Sequence, residues 1–396
     1  MDAGVAVTGI GIISSIGRDV GGNYQNLING NCGISKPEIL ETLHKGIPVG
    51  EIKISNTQLY EMLSLPHNNS YTRAALLAVL AIKEALSGAG LNPNEHEIGL
   101  ISGTSVGGID MTEKFFNEYG ENSENLRYIQ AQHPGFTTGQ IADYFVIKNF
   151  VTTISTACSS GANAIMLGAR MIKSGRLKRV IVGGSDCLSK FTLNGFNSLK
   201  ILSSEVCRPF DNRRNGLNLG EGAAYLILEA DDILAEKPVL GRVSGYGNAN
   251  DAFHQTASSE TGEGAFLAMK KALEVAGLSP EAISYINAHG TATINNDLSE
   301  SRALKRIFKD NIPDFSSTKA FTGHTLAAAG ALEAVYSLLS LQNNMMFKNA
   351  NFEHSMEETA LVPVQKTSEK ELQHVLSNSF GFGGNCTSLI FSRNGK

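Results

Sequence analysis

Thr156-Ala157-Cys158-Ser159-Ser160-Gly161 places a sulfur nucleophile where one residue pattern changes into another. Before it runs the β-branched stretch Val151-Thr152-Thr153-Ile154; after it Ala162, Ile165, Met166, Ala169 and Ile172 recur at helical spacing, and Lys173-Ser174-Gly175 supplies a stop. A cysteine there lies among unpaired N–H groups at the positive end of a helix, a setting that favours thiolate and lowers the thiol pKa from about 8.5. Cysteine is also among the most often buried residues, so the turn alone does not establish chemistry. Three further segments bring polar groups to the ends of strands. Asn287-Ala288-His289-Gly290-Thr291-Ala292-Thr293 follows an apolar run. Ser317-Thr318-Lys319-Ala320-Phe321-Thr322-Gly323-His324-Thr325 leads into a helical pattern from Leu326 to Leu341. Asn378-Ser379-Phe380-Gly381-Phe382-Gly383-Gly384-Asn385 is a glycine-rich turn between two strands. A single core histidine is usually structural; two histidines beside glycine, with a lysine, reverse that weighting.

An internal repeat supplies the elements that must position these groups. Ala85-Leu86-Ser87-Gly88-Ala89-Gly90-Leu91-Asn92-Pro93 returns as Ala272-Leu273-Glu274-Val275-Ala276-Gly277-Leu278-Ser279-Pro280, an offset of 187 residues. Each copy ends a helical pattern (72–87 and 263–275) with a glycine suited to a helix C-terminus. Each precedes an apolar strand, Ile98 to Ser102 or Ile283 to Asn287, that runs into Gly-Thr. Strands 179–183 and 374–378 then precede 220–228 and 383–391 in pairs that read as antiparallel. Alternating strands and helices predict parallel units. The expectation is two duplicated mixed sheets sharing buried helices, joined near Glu236-Lys237-Pro238, with chemistry beyond the carboxyl ends of the strands.

Composition narrows the class. The 396 residues suffice for one large or two ordinary domains, and 18% charged content is too low for a disordered chain. A net charge of −5 argues against nucleic acid or an anionic membrane as partner. No apolar run reaches transmembrane length, and the opening residues do not read as a secretory signal. Five scattered cysteines without a C-x-x-C pair disfavour a disulfide framework or a zinc site, so a cytoplasmic setting is expected.

The motifs T-A-C-S-S-G, N-A-H-G-T-x-T, K-x-x-x-G-H-T-x-x-A-A-G and G-F-G-G occur in that order. On them the chain resembles the elongating type I/II β-ketoacyl-[acyl carrier protein] synthases, condensing enzymes of the thiolase superfamily. The resemblance runs from Val7-Thr8-Gly9-Ile10-Gly11 to Gly381-Phe382-Gly383-Gly384. It implies an α/β fold, a duplicated five-layered α-β-α-β-α sandwich, with residues 1–236 carrying the nucleophile and 237–396 the histidines and lysine. It implies a decarboxylative Claisen condensation, with Cys158 holding the acyl chain as a thioester and malonyl carrier protein supplying the carbanion. Cys158, His289 and His324 match the family triad, Lys319 its supporting lysine and Glu333 the partner of that lysine. The backbone N–H groups of Cys158 and Phe382 match the oxyanion hole, and Phe382 the acyl gate. Thr291 and Thr293 match contacts to the phosphopantetheine arm, with Phe380 and Val106 among the substrate contacts. The family needs no metal or diffusible cofactor, its substrates ride on acyl carrier protein, and it usually forms homodimers.

Other readings compete. A thiolase would carry a second catalytic cysteine near the C-terminus, where Cys386 replaces a family asparagine. A chain-length partner subunit, which would form a heterodimer with a related ketosynthase, lacks the nucleophile that Cys158 provides. Val7-Thr8-Gly9-Ile10-Gly11 lacks the third glycine and the later acidic residue of a dinucleotide loop. Arg213 or Arg214 is expected to touch an acidic carrier protein. Segments 103–109 and 191–199 are expected to line the acyl pocket. Where housekeeping members have a basic segment this chain reads Tyr60-Glu61-Met62-Leu63-Ser64-Leu65-Pro66-His67-Asn68. Together with Thr192 to Leu199 and the Asn385-Cys386 ending, this resembles enzymes of specialised pathways such as aryl polyene synthesis.

Overall fold

The computed structural model describes residues 4–67, 69–94, 97–118 and 125–395. Ten strands form its framework: Val5–Ser14 (β1), Gly99–Gly103 (β2), Val151–Ile154 (β3), Arg179–Asp186 (β4), Gly222–Glu229 (β5), Gly241–Asn250 (β6), Tyr285–Asn287 (β7), Asp314–Ser316 (β8), His374–Phe380 (β9) and Asn385–Ser392 (β10). Six helices matter most here: Arg73–Ala89 (α1), Ser160–Lys173 (α2), Lys190–Ser198 (α3), Glu263–Ala276 (α4), Ile294–Phe308 (α5) and Ala329–Asn343 (α6). The strand order is β8-β7-β9-β10-β6-β1-β5-β4-β2-β3.

The two halves trace one path. In the first, β1–β5 and β5–β4 are antiparallel while β4–β2 and β2–β3 are parallel. In the second, β6–β10 and β10–β9 are antiparallel while β9–β7 and β7–β8 are parallel. The expected pair of mixed sheets is therefore present as two five-stranded units. Val5, Ala6 and Val7 pair with Val243, Arg242 and Gly241, which makes the hydrogen bonding continuous between them.

Layering follows from burial. All ten residues of β1 are buried, as helices on both faces require. Helix α1 covers β1 and β5, and α4 covers β6 and β10. Between the units lie α2 and α6, each touching strands of both halves. Helix α6 is buried from Ala329 through Leu341, which its nearly charge-free sequence allows. Gly9 and Gly11 serve this packing: a Cβ on them would stand 2.1 and 1.9 Å from the carbonyl oxygens of Ala85 and Ala81. Gly245 and Gly247 repeat the device against Ala272 and Ala268; these alanines lie 187 residues after Ala85 and Ala81, while the glycines lie 236 residues after Gly9 and Gly11.

Element ends mostly fall where expected. Gly90 and Gly277 close α1 and α4 in the left-handed conformation. The helix expected from Leu326 instead opens with a 3-10 turn, Leu326–Ala328, before α6 begins. Leu326 has φ of +52°, and the Asp186 carboxylate accepts the Ala327 N–H at 2.9 Å, so the chain is pinned out of helix there. No helix among the described residues is long and apolar enough to cross a membrane.

Candidate active site

Cys158 stands two residues before α2, after Ala157, which has φ of +52°. An L-residue in that region costs roughly 1–2 kcal/mol, and side chains hold the turn in place. Ser160 Oγ donates to the Ala157 carbonyl at 2.6 Å and accepts from the Thr156 N–H. Ser159 Oγ donates to Asn385 Oδ1 at 2.7 Å, as Asn163 Nδ2 does at 2.9 Å. The Cys158 turn is thereby tied to the glycine-rich turn of the other half. Gly381 permits that approach, since a Cβ there would meet the Thr156 carbonyl oxygen at 2.8 Å. The backbone N–H groups of Phe382 and of Cys158 itself lie against the sulfur.

The expected lowering of the thiol pKa is not found. Cys158 is 5% exposed, and burial pushes its thiol up to about 12 against the opposing pull of Lys319 and those two N–H groups. Proximity to a helix N-terminus loses to the cost of an anion out of water.

His289 follows β7, and His324 lies in the turn before Leu326; both are buried. Their rings meet edge to face with centroids 5.4 Å apart, and His289 also packs on Phe380 at 5.5 Å. Burial, then the nearby Lys319 charge, holds both imidazoles well below the usual histidine value, so both are neutral at pH 7. Lys319 Nζ donates to the His289 carbonyl at 2.5 Å and pairs with Glu333 of α6. Burial raises the Glu333 carboxyl to about 7 despite Lys319.

Cys158, His289, His324, Thr291, Thr293, Phe380, Phe382 and Cys386 all line one cavity. Thr291 and Thr293 hydroxyls are 2.9 Å apart. The Phe382 ring stacks on Phe196 of α3 with centroids 5.6 Å apart. Val106 lies elsewhere, against Leu188, Leu193 and Leu217. None of residues 103–109 lines this cavity, and Phe196 represents segment 191–199 there. Arg213 is exposed but bonded to Glu353 and His354; Arg214 is buried, with its donors turned inward. Tyr60 to Leu63 complete the helix Asn56–Leu63, while Asn68 lies outside the described residues.

Three buried carboxylates escaped the sequence reading. Glu300 of α5 accepts the N–H groups of His289 and Gly290 at 2.9 and 2.8 Å. Asp297 accepts those of Ala292 and Phe210. Asp186, at the end of β4, accepts Thr104 Oγ1, the N–H groups of Ser105 and Val106, and the Ala327 N–H. It joins the loop after β2 to the His324 turn. Such anions carry no spacing signature, because their partners are backbone groups far along the chain. Among the described residues no His, Cys, Asp or Glu cluster suited to a metal ion occurs.

Comparison with known proteins gives the same answer along the whole chain. Residues 2–232 match the family model of the β-ketoacyl synthase N-terminal domain, and residues 240–353 that of the C-terminal domain. The chain is 30% identical over 407 residues to 3-oxoacyl-[acyl-carrier-protein] synthase 2 of Staphylococcus aureus, covering 98% of both. The structure of the ketosynthase ApeO in complex with its chain length factor ApeC, from Xenorhabdus doucetiae, matches with a TM-score of 0.85 and 32% identity, over 99% of this chain and 98% of that one. The ishigamide ketosynthase/chain length factor matches with a TM-score of 0.91 and 28% identity, over 99% and 100%. The chain belongs to the β-ketoacyl synthase family, the condensing acyltransferases of fatty-acid and polyketide biosynthesis.

Proposed function

We propose that this chain is the catalytic ketosynthase, with Cys158, His289 and His324 as its reacting groups. The convergence of one thiol and two neutral imidazoles on a single cavity carries this reading. The Cys158 sulfur attacks the carbonyl of an acyl thioester on carrier protein. Its proton ends on the departing pantetheine thiol, and the acyl group on Cys158. The oxyanion formed on the way faces the N–H groups of Cys158 and Phe382, of which one such donor is typically worth about 3–4 kcal/mol. Malonyl thioester then loses carbon dioxide, its carbonyl oxygen accepting hydrogen bonds from the imidazoles as enolate character grows. The enolate carbon attacks the Cys158 thioester and expels the Cys158 thiolate, which takes a proton from water to restore the thiol. Lys319, paired with Glu333 and bonded to the His289 carbonyl, adds its charge to burial in keeping the imidazoles neutral and fixes the His289 backbone.

Acyl carrier protein is the partner that presents both thioesters, and residues 1–236 and 237–396 are the two functional halves. The protein works as a dimer. The outermost strand β3 is unusually open, with Val151 exposed and Thr152, Thr153 and Ile154 half-buried, which is the state of an edge awaiting another strand. A second copy fills it; pairing with a related ketosynthase subunit is the alternative. Five free cysteines suit a reducing cytoplasm. The primers are unsaturated or aryl chains of a specialised pathway, consistent with the Phe196–Phe382 stack at the cavity wall.

Carrier-dependent condensation with a panel of primers tests this. Cys158→Ala should abolish acyl transfer while malonyl decarboxylation persists; His289→Ala and His324→Ala should impair decarboxylation and leave the thiol open to acylation. Cerulenin should label Cys158, and absence of the adduct would favour the partner-subunit reading. Cys386→Ser should retain condensation, which a thiolase would not. Higher kcat/KM for saturated primers would return the enzyme to ordinary fatty-acid elongation.

A further inference from the structure

Arg214 differs from the other basic residues around the cavity. It is 8% exposed, and three of its nitrogens donate to backbone carbonyls: Nε to Thr293 at 3.3 Å, Nη1 to Asp211 at 3.0 Å and Nη2 to Ile294 at 2.7 Å. It forms no ion pair among the described residues, whereas its neighbours Arg208 and Arg213 both pair with Glu353. Thr293 stands just before α5, its side chain making no capping hydrogen bond, and Ile294 is the first residue of that helix. The guanidinium therefore sits at the end where the macrodipole is already positive, near the buried carboxylate of Asp297 in the first turn of that helix, yet its hydrogen bonds go to backbone carbonyls and not to that carboxylate.

What the guanidinium holds is the turn from Gly290 to Ile294. Ala292 in its middle has φ of +66°, a conformation that an alanine adopts under constraint. The rest of the turn is fixed from other sides. Asp297 takes the Ala292 N–H at 3.1 Å, the Gly216 N–H donates to the Ala292 carbonyl at 3.1 Å, and Ser317 Oγ donates to the Gly290 carbonyl at 2.7 Å. Arg214 adds side-chain donors to the carbonyls of Thr293, which the Asp297 N–H also reaches at 3.4 Å, and of Ile294. Thr291, Thr293 and Ile294 line the cavity with Asn215 and Gly216, the residues that follow Arg214.

We infer that Arg214 is a positioning residue for the pantetheine arm: its fork clamps the Thr293–Ile294 turn so that both threonine hydroxyls face the cavity. This rests on the reading that the cavity receives that arm. The clamp acts on the arm and not on the reacting sulfur, so its loss is felt most by substrates long enough to reach the threonines.

Acylation of Cys158 by an acyl pantetheine and by the same acyl N-acetylcysteamine, which lacks most of the arm, separates the outcomes. Arg214→Lys keeps the charge but not the fork. It should lower the ratio of the two kcat/KM values about tenfold, mainly by raising KM for the pantetheine substrate, and Thr291→Val/Thr293→Val should do the same. Arg214→Gln, which keeps a planar donor for one carbonyl, serves if the lysine variant does not fold. Equal losses with both substrates would overturn the proposal by making the arginine merely structural. An unchanged ratio in the arginine variant with a lowered ratio in the threonine variant would overturn the proposal alone. An unchanged ratio in both would also remove the pantetheine reading of the cavity.

Discussion

Cys158 shows how a sequence can place a reactive group and misjudge its state. The change from strand to helix pattern located the turn correctly, because that signal is local. Burial is not local, and it sets the thiol at about 12. Alkylation of the free enzyme by iodoacetamide should therefore accelerate about tenfold per pH unit through pH 10, with no plateau near 8.5. A plateau below pH 9 would show a thiolate the structure does not support. The imidazoles give the complementary expectation. With both held well below 6.5, malonyl decarboxylation should keep its rate as pH falls through 6.5 and lose it at lower pH. A pH–rate profile in the Cys158→Ala background reads this directly.

At the scale of elements, two carriers of the site can be disturbed separately. Helices α2 and α6 touch through small residues: a Cβ on Gly330 would lie 2.9 Å from Ala162 Cβ and 2.5 Å from Ser379 Oγ. Gly330→Ala should lower stability by roughly 1–3 kcal/mol, read from the denaturant midpoint. Asp186 is the second. Burial holds its carboxyl at about 6 against an ordinary 3.8, so the folded chain binds that proton more tightly than the unfolded one. The resulting stabilisation is complete below 3.8 and is lost as pH rises through 6, a change on the order of 3 kcal/mol. Asp186→Asn removes this titration, and calorimetry should find the variant gaining on the parent protein as pH rises from 4 to 7. Helix and strand positions were legible because apolar periodicity and terminal glycines are written locally, as in α1 and α4. The break at Leu326 was not, since it depends on a carboxylate 140 positions upstream.

For the whole molecule, the 187-residue repeat was the most reliable guide, because two copies of one pattern must satisfy one topology. It foretold the matching strand orders but not the glycine contacts at Gly9, Gly11, Gly245 and Gly247, which are visible once helix and strand are side by side. It also left the exposed strand β3 undecided. If that strand is the subunit edge, Val151→Lys should place like charges across the joint, and light scattering should report the mass of one chain where the parent protein gives two.

The two central helices have a mechanical consequence. Cys158 precedes α2 and His324 precedes α6, and those helices approach closely where Gly161 faces Ala331 and Gly330 faces Ala162. The gap between sulfur and imidazole is thus gauged by a single short joint at the middle of the molecule. Thermal swelling of the outer helices, or drift of surface residues over evolutionary time, should leave that gap almost untouched.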